Sequence, residues 1–220
     1  LNLPAGVYRN GTDLQSQGRW RDSNLVRWFD DTLQPIGGWR TRSDTASDKQ
    51  VRGMHSWIDN SSDRWISAGS YNKLYVYSGA GIRYDITPTG FTAGNENALT
   101  PVGYGNSFYG LEYYGTPRQE AVTITPATTW SMDSWGQYLV ACSSTDGKVY
   151  EWQLSTGTIA AVVANAPVNN RAILVTEERF LMCLGAGGNP RLVQWSDRED
   201  NTVWTPAATN EAGSLELQTT

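Results

Sequence analysis

The sequence is poor in histidine, cysteine and phenylalanine. A single histidine, His55, leaves any mechanism that needs a histidine base with one candidate. It stands in an alternating segment beside Trp57, and a packed strand histidine is the simpler interpretation. One histidine and two cysteines also lack the ligand spacing of a zinc site. The acidic loops 59–63 and 197–200 fit ordinary turns better than calcium ligation, so we expect no enzyme, no cofactor and no metal.

Long apolar runs are also missing. None approaches the ~20 residues of a membrane span, and no charged start precedes an apolar core. The chain is expected to be soluble as given, while its start at Leu1 without methionine leaves processing and secretion open.

Basic residues are in deficit, with a net charge of −5. Residues 1–52 carry eight Lys and Arg against six Asp and Glu, whereas the remainder carries nine against sixteen. An acidic body repels phosphate, which argues against tight non-specific nucleic-acid binding through a basic patch. A channel that nucleic acid passes without sticking is compatible with this charge.

Tryptophan, tyrosine, glycine and proline are what the chain has instead, at 10, 11, 22 and 9 residues. Aromatic residues with many turn formers predict short strands and tight turns rather than helices. The pattern is typical of an all-β protein.

A repeated unit of about forty residues supports this. Residues 139–152 form a strand-like run that folds back at Asp146 and Gly147, a pair suited to a tight primed hairpin turn. Residues 180–195 repeat the pattern, and Trp195 follows Trp152 by 43 residues. A diverged third copy, residues 65–77, turns at Tyr71 and Asn72.

Self-similarity at this period is the signature of stacked antiparallel sheets, and it predicts a β-propeller, partial or incompletely covered. A proline closes each predicted unit, at Pro88, Pro167 and Pro206. Residues 214–218 are interpreted as the start of a further unit. Three recognisable units are fewer than the roughly four to eight that close a propeller. Either the natural chain continues beyond Thr220 or partners complete the closure, and continuation is favoured.

The two cysteines hold the same place in adjacent copies, since Cys183 follows Cys142 by 41 residues. Equivalent residues of neighbouring units are expected to be separate buried thiols rather than a disulfide, which favours assembly in a reducing cell.

The domain organisation predicted from these patterns is an N-terminal arm and hairpin over residues 1–52, followed by blades over residues 53–220. Residues 24–29 and 33–39 are predicted to be the two strands of the hairpin, joined at Asp30 and Asp31. Residues 89–126, rich in glycine and tyrosine, form either a degenerate blade or an inserted contact loop, of which the loop is favoured.

Non-repeating regions that carry aromatic residues and arginine are the expected contact regions for partners, namely residues 103–115 and 1–20. The candidate interface residues are Arg19, Trp20, Tyr104, Phe108, Tyr109, Tyr113 and Tyr114.

The repeats resemble a known family. The run WSMDSWG at 130–136 with the following LVAC and VYEW, and RLVQWSD at 191–197 with the following VWTP, resemble structural proteins of tailed bacteriophages. The opening run at 24–28 with PIGGW at 35–39 is similar to their N-termini. The family is the propeller-bearing tail hub or nozzle proteins of short-tailed phages, which include packaged-DNA stabilisation proteins, and the resemblance covers most of residues 20–215.

The resemblance implies a virion tail component, assembled in the host cytoplasm, that forms a homo-oligomeric ring of typically six copies below the portal and adaptor. Such rings line the DNA exit channel, retain the packaged genome, and dock fibres or other tail proteins. The family has no catalytic residues to carry over.

A carbohydrate-binding or glycoside-cleaving propeller is the alternative, because tryptophan and tyrosine stack on sugar rings. Trp152 and Trp195 end alternating strands, however, where packing explains them more simply. A cellular scaffold propeller is compatible with every residue.

Overall fold

The computed structural model of the protein describes residues 4–30, 32–38, 40–98 and 125–218. Within these ranges the secondary structure is antiparallel β, and the only helical segment is the short 3-10 helix Ala186–Gly188. The all-β class is therefore confirmed. The chain divides into two compact units, Leu1–Arg42 and Ser43–Thr220.

The first unit contains the predicted hairpin. Strand β1 (Val26–Phe29) pairs antiparallel with β2 (Thr32–Pro35). Trp20 forms a parallel bridge with Val7, and its ring centroid lies 5.6 Å from that of Trp28. These indoles form the apolar centre of a small unit whose surface is otherwise largely exposed.

The second unit contains three four-stranded sheets. Sheet I consists of β3 (Gly53–Ile58), β4 (Arg64–Gly69), β5 (Leu74–Ser78) and β6 (Arg83–Asp85). Sheet II consists of β7 (Trp130–Trp135), β8 (Tyr138–Ser143), β9 (Val149–Trp152) and β10 (Ala161–Val162). Sheet III consists of β11 (Ala172–Val175), β12 (Leu181–Leu184), β13 (Leu192–Trp195) and β14 (Gly213–Glu216).

Each sheet is a meander in which every strand pairs with its neighbour in chain order. The segments that end at Tyr77, Trp152 and Trp195 are the second and third strands of sheets I, II and III. The repeat predicted from the sequence is thus a repeat of four-stranded antiparallel sheets.

The predicted two-residue turn at Asp146 and Gly147 is wrong. The connection between β8 and β9 spans residues 144–148. Gly147, the next-to-last residue of this connection, has a φ of +68°. A Cβ on Gly147 would lie 2.6 Å from the Cα of Asn169, so the loop packs against the backbone that leads into sheet III. Glycine is required here both by its left-handed conformation and by this close approach.

The end of sheet III also differs from expectation. Residues 214–218 do not begin a further unit, because Gly213–Glu216 pairs with β13 as the fourth strand of sheet III. Pro206 consequently lies inside the long connection between β13 and β14, and it does not close the third unit.

Sheet II lies between the other two sheets. Its second strand, β8, has buried side chains from Leu139 to Ser143, as expected of a strand covered on both faces. One core cluster forms between sheets I and II, and it includes Trp57, Trp65, Trp130, Leu139 and Trp152. The other forms between sheets II and III, and it includes Trp135, Val140, Cys142, Leu181 and Cys183.

Trp152 and Trp195 are aligned by the sequence repeat, but their side chains lie on opposite faces of their sheets. Trp152 pairs with Leu139 and points into the cluster between sheets I and II. Trp195 pairs with Met182, which alternates with the core residues Leu181 and Cys183, so it lies on the face that points away from sheet II. A shift of one residue in register reverses the face of every side chain in a strand.

The cysteines show the same reversal. Cys142 faces sheet III and Cys183 faces sheet II, so both buried, free thiols contribute to one core cluster. Burial raises the pKa of the Cys142 thiol to about 12 and also raises the pKa of Cys183. Both thiols are therefore protonated and unreactive in the folded protein.

Candidate functional site

Aromatic side chains join sheets I and II. Trp130 of sheet II packs on two glycines of sheet I: the absence of a Cβ makes room for its indole at Gly69 and for its Cβ and backbone at Gly53. Its ring N–H donates to the carbonyl of Ser70 at 2.7 Å. The sheets therefore lie close together at the first strands, and the fit depends on glycine.

Polar contacts link the first strand of sheet I to the first strand of sheet II and to the turn that follows it. The Nε2 atom of His55 lies 2.8 Å from the hydroxyl of Ser134, and the indole N–H of Trp57 donates to the carbonyl of Gln137 at 3.0 Å. His55 also stacks on Trp57, with ring centroids 6.0 Å apart. The only histidine of the sequence is thus a packed strand residue, as expected.

Replacing His55 by glutamine is expected to flatten the dependence of stability on pH. Burial lowers the pKa of His55 below 6.5, while the carboxylate of Asp133 acts in the opposite direction. Since the folded state prefers the neutral imidazole, the unfolded chain takes up the proton first as pH falls through about 6.5. The free energy of unfolding therefore decreases until the folded-state pKa is passed. Urea unfolding between about pH 8 and about pH 5 would measure this, and identical slopes for wild type and variant would contradict it.

Side chains of sheet II complete the hydrogen bonding of the first strand of sheet III. The hydroxyl of Ser131 accepts from the N–H of Ile173 at 3.1 Å and donates to the carbonyl of the same residue at 2.7 Å. The carboxylate of Asp133 accepts from the N–H of Val175 at 2.8 Å. Strand β11 is at a sheet edge, and these contacts satisfy backbone groups that would otherwise need another strand.

The face of sheet I that points away from sheet II is only partly covered. Residues 44–48 cross it near Tyr75, where Arg83 stacks on the phenol at 4.8 Å and its backbone N–H donates to Asp44 at 3.1 Å. Beyond this segment the exposed fractions are 66% for Met54, 59% for Ile58 and 37% for Ile66. We call this surface the open face of sheet I, and it consists of Met54, Ser56, Ile58 and Ile66.

The face of sheet III that points away from sheet II is apolar throughout. Its side chains are half-buried or exposed, and Leu215 is 57% exposed. An apolar face that no other described sheet covers is a candidate interaction surface. We call it the open face of sheet III, and it consists of Ala172, Leu174, Met182, Leu184, Val193, Trp195 and Leu215.

Two of the predicted interface residues lie in the first unit. The guanidinium of Arg19 is exposed and lies 5.4 Å from the ring centroid of Tyr8. Trp20 is half-buried against Trp28, and its indole N–H has no hydrogen-bond partner among the described residues. The exposed apolar residues of this unit include Leu25 and Phe29. The other predicted interface residues, Tyr104, Phe108, Tyr109, Tyr113 and Tyr114, lie outside the described residues.

A cleft of about 460 Å³ lies in the first unit, between residues 7–10 and 22–23. Arg9 and Asp22 form an ion pair across it at 2.5 Å. The hydrogen bond from Arg9 holds the pKa of the Asp22 carboxyl below its usual 3.8. The two charged groups bind each other, which favours a structural role for Arg9 and Asp22.

The sheets offer little to a metal ion or a sugar. Among the residues that the structure describes, no group of three or more His, Cys, Asp or Glu side chains is placed to hold a metal ion. The Asp59 carboxylate accepts from the backbone of Ser61 and Asp63 and from the indole of Trp65. The tryptophans buried in the two core clusters cannot act as sugar platforms, namely Trp57, Trp65, Trp130, Trp135, Trp152 and Trp204.

Within the described ranges, no helix combines the length and apolar character of a membrane span. The fold and its open faces define an all-β protein of stacked antiparallel sheets with two apolar surfaces. No family model, curated protein or solved structure matches the chain.

The sequence reasoning did not find the open faces. Met54 stands on the open face of sheet I and Met182 on that of sheet III. The signal that could have revealed the open face of sheet I is the motif Met-x-Ser-Trp, which occurs at the start of sheet I (Met54 to Trp57) and again at the start of sheet II (Met132 to Trp135).

Proposed function

We propose that the protein is a structural component of a phage tail, of the propeller-bearing hub or nozzle class, and that sheets I to III are three blades of a β-propeller. The stacking of the sheets supports the propeller. They follow one another in chain order, and polar contacts join their first strands from sheet I to sheet II and from sheet II to sheet III. Radial repetition of four-stranded meanders is the architecture of propeller blades.

The observation that carries an assembly function is the pair of open faces. Exposed apolar surface on both ends of a sheet stack is costly in water unless another protein surface covers it. A catalytic protein would instead need a pocket with convergent polar groups. The arrangement in the second unit therefore favours a protein whose task is to bind other protein surfaces.

The role within the virion follows from the sequence resemblance. In this proposal the chain forms a ring below the portal and adaptor, retains the packaged DNA, lines its exit channel and docks other tail proteins or fibres. The net charge of −5 suits a channel wall that DNA passes without tight binding. No cofactor is required, and assembly takes place in the host cytoplasm.

Negative-stain electron microscopy of the purified protein is expected to show rings, because open apolar faces and an N-terminal arm favour self-association. Sedimentation velocity would give the mass of the assembly. A glycan array serves as the control, and it is expected to show no specific binding because the tryptophans of the two core clusters are buried. Specific glycan binding by a protein that forms no rings would overturn the proposal in favour of a carbohydrate-binding protein.

A further inference from the structure

Sheets I and II carry the same kinds of side chain in the same places. The first matching rows run across three strands and read Met54, Ala68, Tyr75 in sheet I and Met132, Ala141, Tyr150 in sheet II. The next rows read Ser56, Ile66, Tyr77 in sheet I and Ser134, Leu139, Trp152 in sheet II. Both rows are on the face that points toward the preceding sheet of the chain.

The seam between sheets I and II shows what such rows pack against. The sulfur of Met132 lies 3.1 Å from the hydroxyl of Ser67 in sheet I, and Leu139 and Trp152 are fully buried. In sheet I the matching Met54 is instead 66% exposed. Sheet I therefore carries the pattern of a sheet that packs on a preceding one. Ala68 and Tyr75 of this pattern are already buried where residues 44–48 cross the sheet, whereas Met54, Ser56 and Ile66 belong to the open face of sheet I.

Sheet III presents the complementary side. Leu174 and Met182 hold the places that His55 and Ser67 hold in sheet I, on the face toward a following sheet. In sheet I that face receives Met132 and Ser134 of sheet II. The open face of sheet III is thus positioned to contact a first strand that presents methionine and serine, as Met132 and Ser134 do in sheet II and Met54 and Ser56 do in sheet I.

We infer that the open face of sheet I packs against the open face of sheet III of a second copy of this chain, with Met54 of one copy on Met182 of the other. The contact repeats the operation that already relates sheets I, II and III. Two copies joined in both directions contain six sheets, within the roughly four to eight that close a propeller. The inference rests on the proposed function, for which it supplies the contact surface.

A pair of opposite charges tests the contact. Met54→Glu and Met182→Lys each place an unpaired charge in an apolar seam, so each alone is expected to raise the dissociation constant for self-association by about 30-fold or more. Mixing the two variants leaves one native seam and one Glu–Lys seam, and association is expected to return. The double variant Met54→Glu/Met182→Lys has Glu–Lys pairs in every seam and is expected to associate within about tenfold of wild type.

Sedimentation velocity over a range of concentrations measures each case, and circular dichroism verifies that the variants are folded. Val168→Glu is the matched control, because Val168 is an exposed apolar residue of the loop before sheet III that lies on neither open face. It is expected to associate like wild type.

Two results would overturn the inference: wild type that stays monomeric at every concentration, or single-face variants that associate as well as wild type. If those variants still form rings under the microscope, the copies join elsewhere and the proposed function stands. If wild type forms dimers that depend on Met54 and Met182 but no rings, the contact is right and the tail-ring function is wrong.

Discussion

Replacing Trp152 by alanine is expected to lower the free energy of unfolding by about 3–5 kcal/mol. The side chain is 1% exposed, and its ring centroid lies 5.4 Å from that of Trp65 and 6.5 Å from that of Trp57. Its indole N–H donates to the carbonyls of Ser155 at 3.1 Å and Thr158 at 3.2 Å. The substitution opens a cavity in the core between sheets I and II and leaves both carbonyls without this donor. Urea unfolding followed by circular dichroism would measure the loss.

Trp195→Ala is the matched control, since the sequence repeat aligns the two tryptophans. Trp195 lies on the open face of sheet III, where its indole N–H donates to the carbonyl of Glu211 at 2.8 Å. Because it is only half-buried, its loss is expected to cost about 1 kcal/mol in the monomer. Equal losses for the two variants would show that both side chains are buried alike, and the assignment of faces would be wrong.

Gly53→Ala is expected to destabilise the protein by about 2–3 kcal/mol. A Cβ at this position would lie 2.7 Å from the Cβ of Trp130 and 2.8 Å from its carbonyl oxygen. The backbone of sheet II cannot yield as the end of a flexible side chain would, so the first strands of sheets I and II must move apart. The midpoint of urea unfolding would report the change.

The control for this substitution is Gly157→Ala. No described atom lies within 4 Å of a Cβ at Gly157, and its φ is not in the left-handed region. The free energy of unfolding of the Gly157→Ala variant is expected to stay constant or to rise by up to about 1 kcal/mol, because alanine restricts the conformations of the unfolded chain. If Gly53→Ala were as stable as Gly157→Ala, sheets I and II would not stack as described.

Much of the local structure follows from the sequence. The alternation around Asp30, Tyr71 and residues 139–152 predicts strands and hairpins that the structure contains, because period-two patterning and turn residues are local signals. The repeat likewise predicts sheets of equal size. These features depend only on neighbours along the chain.

The face of the sheet on which each strand side chain lies could not be predicted in the same way. The connection between β8 and β9 covers residues 144–148, whereas the one between β12 and β13 covers residues 185–191 and includes a 3-10 helix. Leu139 and Leu181 both face the preceding sheet, yet Leu139 pairs with Trp152 whereas Leu181 bonds to Ser196. Trp195 therefore lies one residue before the position that matches Trp152, and a change of one residue in register exchanges the two faces. Trp152 and Trp195 therefore look equivalent in sequence although they face opposite ways.

The contacts between sheets were hidden for a related reason. Ser131 and Asp133 read as the polar half of an alternating strand, yet they bond to the backbone of sheet III. Nothing local distinguishes a side chain that meets water from one that meets a neighbouring backbone. Long-range partners of this kind become visible only when the sheets are placed in space.

The position of sheet II between two neighbours determines the order in which the second unit is expected to unfold locally. Sheets I and III each contact only sheet II, so local unfolding is expected to begin in sheets I and III and to reach sheet II last. The amide protons of Val140 and Cys142, in the strand buried on both sides, would then be the slowest to exchange with heavy water. Those of β6 and β14, at the outer margins, would exchange first, before the whole unit melts.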